Sequence, residues 1–380
     1  MITRRKSIAI IGGGSILAAG AALGASLTRQ PHAALAPWES AGAYDDARMR
    51  ALSYAVLAPN PHNRQPWQVD LSVADEVTLY VDPTRDLPQT DPFSRQITIG
   101  LGCFLEIMRL AALEDGLHVS FDLFPEGSDP QALDTRPVAR CRFSPTTAGK
   151  DPLFAQVPRR RTLKEPYSLH RPVPRDALAR IAGAAVYGTQ IGYTDDPDQV
   201  DALRALSAEA FLIEFRTDRT LKESVDLFRI GHREVNAAPD GIDFTGPTFE
   251  MLRLTGLFSR ENALDREGLS YAQAERMVVE NMMTAMAHLW QVSPQNTRTE
   301  QIRSGQDWVR INLAATAEGI GVQPLSQGLQ EFSEMSDIYT TVHETLAPQG
   351  GTVQMWCRLG YGPQAPSSPR WPIEAKIVNA

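Results

Sequence analysis

The 380-residue sequence holds only three cysteines, Cys103, Cys141 and Cys357, widely spaced and without a CxxC pair. An odd, scattered set is no disulfide framework, and each lies in an apolar stretch, so all three read as small buried hydrophobes. HExxH, Walker-type loops and zinc-ligand spacings are missing as well. That removes the commonest metalloprotease and nucleotide-triphosphatase readings. Positive charge is scarce: beyond residue 37, 33 Lys and Arg stand against 45 Asp and Glu. A body this acidic is a poor partner for nucleic acid or anionic lipid. Hydrophobic residues at 43% and charged residues at 22% describe a globular chain, neither disordered nor polytopic. Its length suits two domains with real cores.

What is present begins at the start of the chain. Thr3-Arg4-Arg5-Lys6-Ser7-Ile8 leads into a weakly hydrophobic, Gly- and Ala-rich run from Ile8 to Leu27. Paired arginines before such a run resemble a twin-arginine export signal, which implies export to the periplasm by that machinery. The run is also about long enough to span a bilayer, so an uncleaved anchor is the alternative. Within it, Ile10-Ile11-Gly12-Gly13-Gly14 fails as a dinucleotide loop because Leu17 stands at the last glycine position. No clean small-x-small cleavage site precedes Ser26, and Ala34-Leu35-Ala36 is followed by Pro37. The expected organisation is a signal segment over 1–37, a first half over 42–150 and a second half over 151–375.

Hydrophobic periodicity predicts helices over 45–57, 97–114, 175–185, 199–217, 221–235, 249–258, 271–292 and 300–319. It predicts strands over 76–81, 119–124, 139–143 and 352–359. Met277, Met282, Met283 and Met286 form a stripe on the 271–292 segment that reads as core filling. One internal echo is visible. Ile99-Gly100 with Leu110-Ala111-Ala112, stopped by Gly116, matches Ser304-Gly305 with Leu313-Ala314-Ala315, stopped by Gly319. Two copies of one α+β unit are implied.

Four segments carry chemistry. Ala58-Pro59-Asn60-Pro61-His62-Asn63-Arg64-Gln65-Pro66-Trp67 is a rigid turn rich in amides. Pro158-Arg159-Arg160-Arg161-Thr162-Leu163-Lys164 places three arginines, a hydroxyl and a lysine in an acidic body, and Pro172-Val173-Pro174 follows. Gly321-Val322-Gln323-Pro324-Leu325-Ser326 is a late loop, and Gly360-Tyr361 with Pro369-Arg370-Trp371-Pro372 closes the chain. Together they resemble the nitroreductase superfamily: its Ser-x-x-Asn-x-Gln-Pro-Trp element, its Arg-x-Ser-x-Arg/Lys opener and its Arg-x-Pro tail. Asn60 and Pro61 stand where that element has two serines, and Ser368 stands where the tail often has a lysine.

The resemblance implies an α+β, FMN-dependent nitroreductase-like fold, with two tandem related domains forming a pseudo-dimer within a monomeric chain. The Asn-x-Gln-Pro-Trp element occurs only in the first half and the opener and tail only in the second, as in the fused, Acg-type branch. One FMN per chain is therefore expected. The second pseudo-symmetric pocket is expected to be filled by protein. By the same resemblance Arg160 and Arg370 hold the phosphate, and Thr162 bonds ribityl or phosphate oxygens. Lys164 sits near flavin N1/O2, and Asn63, Gln65, Pro66 and Trp67 reach the flavin from the other half. Leu325 and Ser326 offer backbone toward N5. The implied function is an FMN oxidoreductase passing hydride or electrons through N5 to an organic acceptor, a nitro compound or a quinone. The alternative is an exported protein that binds FMN without turning it over. Phe228–Asn236 reads as an amphipathic helix, or as a cover bringing Arg229 or Arg233 to the flavin.

Overall fold

The computed structural model describes residues 30–380; of the expected 1–37 signal segment, residues 1–29 with the paired arginines lie outside them and 30–37 lie inside. Helix α1 (His32–Ser40) and helix α2 (Ala47–Ala55) come first. Strands β1 (Trp67–Asp70) and β2 (Glu76–Val81) follow, then helix α3 (Arg95–Glu114) and strands β3 (Leu117–Leu123) and β4 (Ala139–Pro145). The second half repeats this order with α4 (Arg175–Ala182) and β5 (Gln190–Thr194). A long excursion then carries α5 (Pro197–Arg216), α6 (Asp218–Asp226), β6 (Phe228–Ile230), α7 (His232–Ala237), β7 (Ile242–Phe244), α8 (Pro247–Leu254), α9 (Arg260–Leu264) and α10 (Leu269–Met282). The repeat resumes with β8 (Ala287–Ser293), α11 (Arg298–Ala317), β9 (Gly321–Pro324), α12 (Ser336–Leu346) and β10 (Thr352–Gly360), and the chain ends in β11 (Ile377–Asn379).

The fold is α+β, built from two related halves. The first sheet runs β11-β1-β2-β4-β3 and the second β5-β8-β10-β9. Pairing β1 with β5, β2 with β8, β4 with β10 and β3 with β9 gives the same strand order in both. The added strand β11 runs parallel to β1, so the end of the chain returns to the sheet of the first half.

The halves meet through α3 and α11. A Cβ on Gly102 would lie 2.1 Å from the Ile302 carbonyl oxygen, and one on Gly305 would lie 2.0 Å from that of Ile99. These contacts are reciprocal. They join Gly102 to Gly305 and Ile99 to Ile302 at the spacing that aligns the two Leu-Ala-Ala segments, and so correct the pairing of Gly100 with Gly305. Arg95 and Arg298, matched at the same spacing, are both buried and cross to the opposite half. Arg95 donates to the carbonyls of Leu329 (2.5 Å) and Gln354 (2.8 Å), and Arg298 to that of Asp129 (3.0 Å). The three cysteines are buried, and the Cys103 thiol donates to the Gly305 carbonyl at 3.1 Å.

Two expected helices are shorter than their patterns. The 221–235 segment breaks at Gly231, whose φ of 84° is left-handed, and β6 stands in its middle. The 271–292 segment stops at Met282, and its end is β8, buried at six of seven positions. A strand covered on both faces has a continuous apolar run that periodicity cannot separate from a helix. The methionine stripe is core only in part, since Met286 packs against the core as Met282 does. Met282 is buried, but Met277 and Met283 are 56% and 42% exposed.

Glu214 on α5 is buried beside Gln330, whose amide donates to it at 2.8 Å, and burial pushes its carboxyl up to about 7. A carboxyl raised in this way gives stability that is whole below its unfolded value and is lost as pH rises through about 7. Glu214→Gln should therefore gain on the native chain by up to about 3 kcal/mol between about pH 5 and pH 8, read by urea unfolding at both. At the crossing, Gly102→Ala or Gly305→Ala must push backbone from backbone. Each should cost about 3 kcal/mol or more in the same assay, whereas Gly149→Ala, with open space around it, should cost well under 1.

Candidate functional site

The opener follows a 3-10 turn over Pro152–Arg159 and then runs beside β9, Leu163 N–H donating to the Val322 carbonyl at 3.0 Å. This geometry sorts the three arginines. Arg159 is exposed, Arg161 half-buried and Arg160 buried. Arg370 enters from the tail and is buried as well. The two buried guanidiniums converge on one carbonyl, that of Leu57, at 3.4 Å from Arg160 and 3.3 Å from Arg370. Arg370 adds bonds to Asn63 Oδ1 (2.6 Å) and to the carbonyls of Ala58 and Pro369.

Neither guanidinium is fully used. Nε and Nη1 of Arg160 and Nε of Arg370 are buried and have no partner among the described residues. Burial pushes Arg160 down to about 10, with Arg161 adding repulsion, and pushes Arg370 down to about 9, with Arg160 adding repulsion. The carboxylate whose field reaches Arg370 is Asp243, itself raised by burial. Two buried like charges with three idle donors form a site that favours an anion able to take several N–H bonds.

The Asn60–Trp67 loop forms the adjoining wall, and its backbone is strained. His62, Asn63 and Gln65 have φ of 47°, 52° and 49°, the left-handed region that costs a non-glycine residue about 1–3 kcal/mol. Tertiary bonds hold it there. Asn60 Oδ1 accepts from Gln65 N–H (2.7 Å), Lys376 Nζ donates to the Gln65 carbonyl (2.7 Å), and Gly241 N–H donates to that of Asn63 (3.3 Å). The Asn63 and Gln65 side chains clamp this loop to other segments. Asn63 Nδ2 donates to Pro369 O, Gln65 Nε2 donates to Pro239 O, and Gln65 Oε1 accepts from Trp371 N–H. Trp67 is core, fully buried with its ring 4.9 Å from Phe104, and the Pro66 carbonyl accepts from Asp82 N–H.

The other predicted residues are placed as follows. Thr162 is half-buried beside Arg161, and Lys164 is exposed farther along the same irregular segment. Lys164 and Arg64 both bear on His62, whose imidazole is pushed down to about 4, first by burial and then by those two charges. The imidazole is neutral at neutral pH. Leu325 is buried and spends its N–H on the Trp356 carbonyl, which takes that amide from the expected role. Gln96 at the start of α3 donates to the Ser326 carbonyl at 3.4 Å, joining this loop to the helix beneath the site.

The excursion covers the site through a latch. Asp240 accepts from Arg85 of the first half (2.6 Å), Arg229 (2.6 Å) and Trp371 Nε1 of the tail (3.1 Å). Burial raises its carboxyl, yet these partners hold it below the usual carboxylate range. Arg229 is thus a latch residue, and Arg233 is exposed. Asp240 and Lys376 are contributors that the motifs do not mark. Lys376 is buried and pushed down to about 7 by desolvation, yet in the sequence it is one lysine in a short tail.

The counterpart position about the pseudo-two-fold lies between residues 183–187, β3 and residues 148–153, and differs from expectation. Its inner part is filled by Glu106 with Arg109, Arg310 and Tyr187, and its outer part stays open as adjoining grooves of about 610 and 570 Å³. Arg310 there is answered by both Glu106 (2.9 Å) and Asp151 (2.8 Å). Cations matched by acids make no anion site, so the idle guanidiniums belong to one side of the molecule. Inorganic phosphate should accordingly raise the Tm of flavin-free protein in a saturable way, by linkage to the folded state. Arg160→Gln should abolish the increment in a thermal-shift titration.

No family model matches the chain. Its sequence is 25% identical over 345 residues to "Putative NAD(P)H nitroreductase Rv3131" of Mycobacterium tuberculosis, covering 85% of this chain and 91% of that one. It is 24% identical over 351 residues to "Putative NAD(P)H nitroreductase acg" of the same organism, covering 87% and 94%. Among solved structures, the FMN-dependent nitroreductase NfnB of Mycobacterium smegmatis in complex with NADPH aligns at 18% identity over 53% of this chain and 84% of its own, with a TM-score of 0.30. A nitroreductase structure from Anabaena variabilis, named there as putative, aligns at 13% over 81% and 82%, with a TM-score of 0.38. At these TM-scores neither superposition decides any residue's role. The sequence likeness, in contrast, extends over both halves and the excursion between them.

Proposed function

We propose that the chain is an FMN-binding oxidoreductase of the nitroreductase kind, with one flavin site per chain. The observation that carries this is the pair of buried guanidiniums, Arg160 and Arg370, with three donors left idle beside a strained amide-rich loop. The names of the two sequence relatives support the same reading. Arg160 and Arg370 would hold the phosphate through paired N–H bonds, which Arg geometry favours over Lys. Thr162 offers a hydroxyl next to them. Lys164 supplies a fixed cation at the mouth, where charge gathering on a reduced ring is stabilised. The 60–67 loop, clamped by Asn63, Gln65 and Lys376, orients what lies against it, and the neutral His62 adds no charge. When bound, the flavin supplies the hydride or electron transfer, and the protein supplies binding and electrostatics.

The acceptor class proposed is a nitro compound or a quinone, and the working form is a monomer with an internal pseudo-dimer. The Arg4-Arg5 segment supports export by the twin-arginine route, after the cofactor is loaded, or retention on the membrane by an uncleaved signal. The latch at Asp240 favours a second reading, an exported protein that holds FMN without turnover, because it ties the cover to the first half and to the tail. Purified protein should be yellow and release about one FMN per chain on denaturation. Arg160→Ala with Arg370→Ala should abolish flavin retention while circular dichroism stays native. Unchanged occupancy in that variant would sink the assignment. Reduction by dithionite followed by reoxidation with menadione, against no reoxidation, separates the oxidoreductase from the holding protein.

A further inference from the structure

The anion pocket has a wall supplied by α1, the first helix among the described residues, which overlaps the end of the expected 1–37 signal segment. Arg370 N–H donates to the Ala34 carbonyl at 2.8 Å, and Ala34 N–H donates to Asn236 Oδ1 on α7 at 3.1 Å. Trp38 Nε1 donates to the Ser368 carbonyl at 2.8 Å. The Trp38 ring lies 4.2 Å from the Arg161 guanidinium and 5.5 Å from that of Arg370. Ala34 is 1% exposed and Pro37 is buried, so the helix is seated and not merely lying near the body. Farther on, Tyr44 Oη donates to Glu374 at 2.6 Å, tying the segment after α1 to the same tail.

From these contacts we propose that residues 32–40 form a retaining strap over the phosphate end of the cofactor site, with Trp38 as the residue that closes it. The inference rests on the flavin reading above. Three physical effects combine. The indole face offers its negative quadrupole to two guanidiniums that otherwise repel each other. Its bulk keeps water from the idle donors, which strengthens their bonds to an anion. The strap is hydrogen-bonded to the backbone of Arg370 itself, so displacing it moves a phosphate ligand. It is bonded to Asn236 of the cover too, so strap and cover are joined.

A consequence concerns processing. The Ala34-Leu35-Ala36 tripeptide lies within this helix, and a cut after Ala36 would remove both backbone bonds of Ala34. The strap therefore has to stay on the mature chain for the pocket to remain closed.

The test uses the full chain loaded with FMN, and Trp38→Ala, Trp38→Phe and Asn236→Ala variants. Release of flavin is followed by the recovery of free-flavin fluorescence after dilution, and affinity is compared with riboflavin, which has the same ring and no phosphate. Trp38→Ala should release FMN on the order of tenfold faster, with Trp38→Phe between it and the native chain. Asn236→Ala should also speed release, and riboflavin affinity should change less than about twofold. Equal weakening of FMN and riboflavin, or an unchanged FMN release rate, overturns the strap. If the native chain takes up no FMN, the flavin reading fails and inorganic phosphate becomes the probe. Loss of the phosphate-induced Tm increment in Trp38→Ala then supports the strap as a wall of a phosphate site, and an unchanged increment overturns it.

Discussion

The crossing of α3 and α11 is the constraint on which the rest of the molecule depends. Two glycines let helix backbones approach until a single methyl group on either would overlap a carbonyl of the other. That approach sets the distance between the two sheets, and with it the width of both pseudo-symmetric grooves. Arg95 and Arg298 then bind each helix start to loops of the opposite half, so the halves cannot separate without leaving buried charge unpaired. Neither half is a free-standing unit in this arrangement. The last strand, β11, makes the same point by pairing with the first sheet.

One architecture thus yields two grooves with opposite chemistry. Around Arg310 the protein places Glu106 and Asp151, and the charges cancel inside the fold. Around Arg160 and Arg370 it places carbonyl groups, an indole and another arginine, and the charges do not cancel. A protein tolerates such a cost where something else supplies the counter-charge, because burying unpaired cations is otherwise destabilising. The asymmetry between related positions makes the anion site specific to one side. The same asymmetry extends to the cover, since only the second half carries the excursion from α5 to α10.

The site is also over-determined mechanically. The 60–67 loop is held in left-handed backbone by bonds from four other segments, 82–85, 239–241, 369–371 and Lys376, and the cover is held through Asp240 to Arg85 and Trp371. Strain retained against so many tethers is strain that serves pre-organisation. The side-chain amides of Asn63 and Gln65 are fasteners that keep the loop in place.

The sequence by itself determined the repeat, most helix positions and the chemistry of the opener and tail. Those follow from local pattern, from apolar spacing on α3 and α11 and from residue types such as Arg160 and Arg370 that have few other uses in an acidic body. Only the tertiary structure decided where the 221–235 and 271–292 segments break, because a strand buried on both faces has the same apolar run as a helix. It also decided which of three neighbouring arginines is buried, that Lys376 and Asp240 fasten the loop and the cover, and that Trp38 lies over Arg161. Those roles depend on contacts between residues up to 336 positions apart, such as Ala34 with Arg370, and no local pattern encodes a partner at that distance.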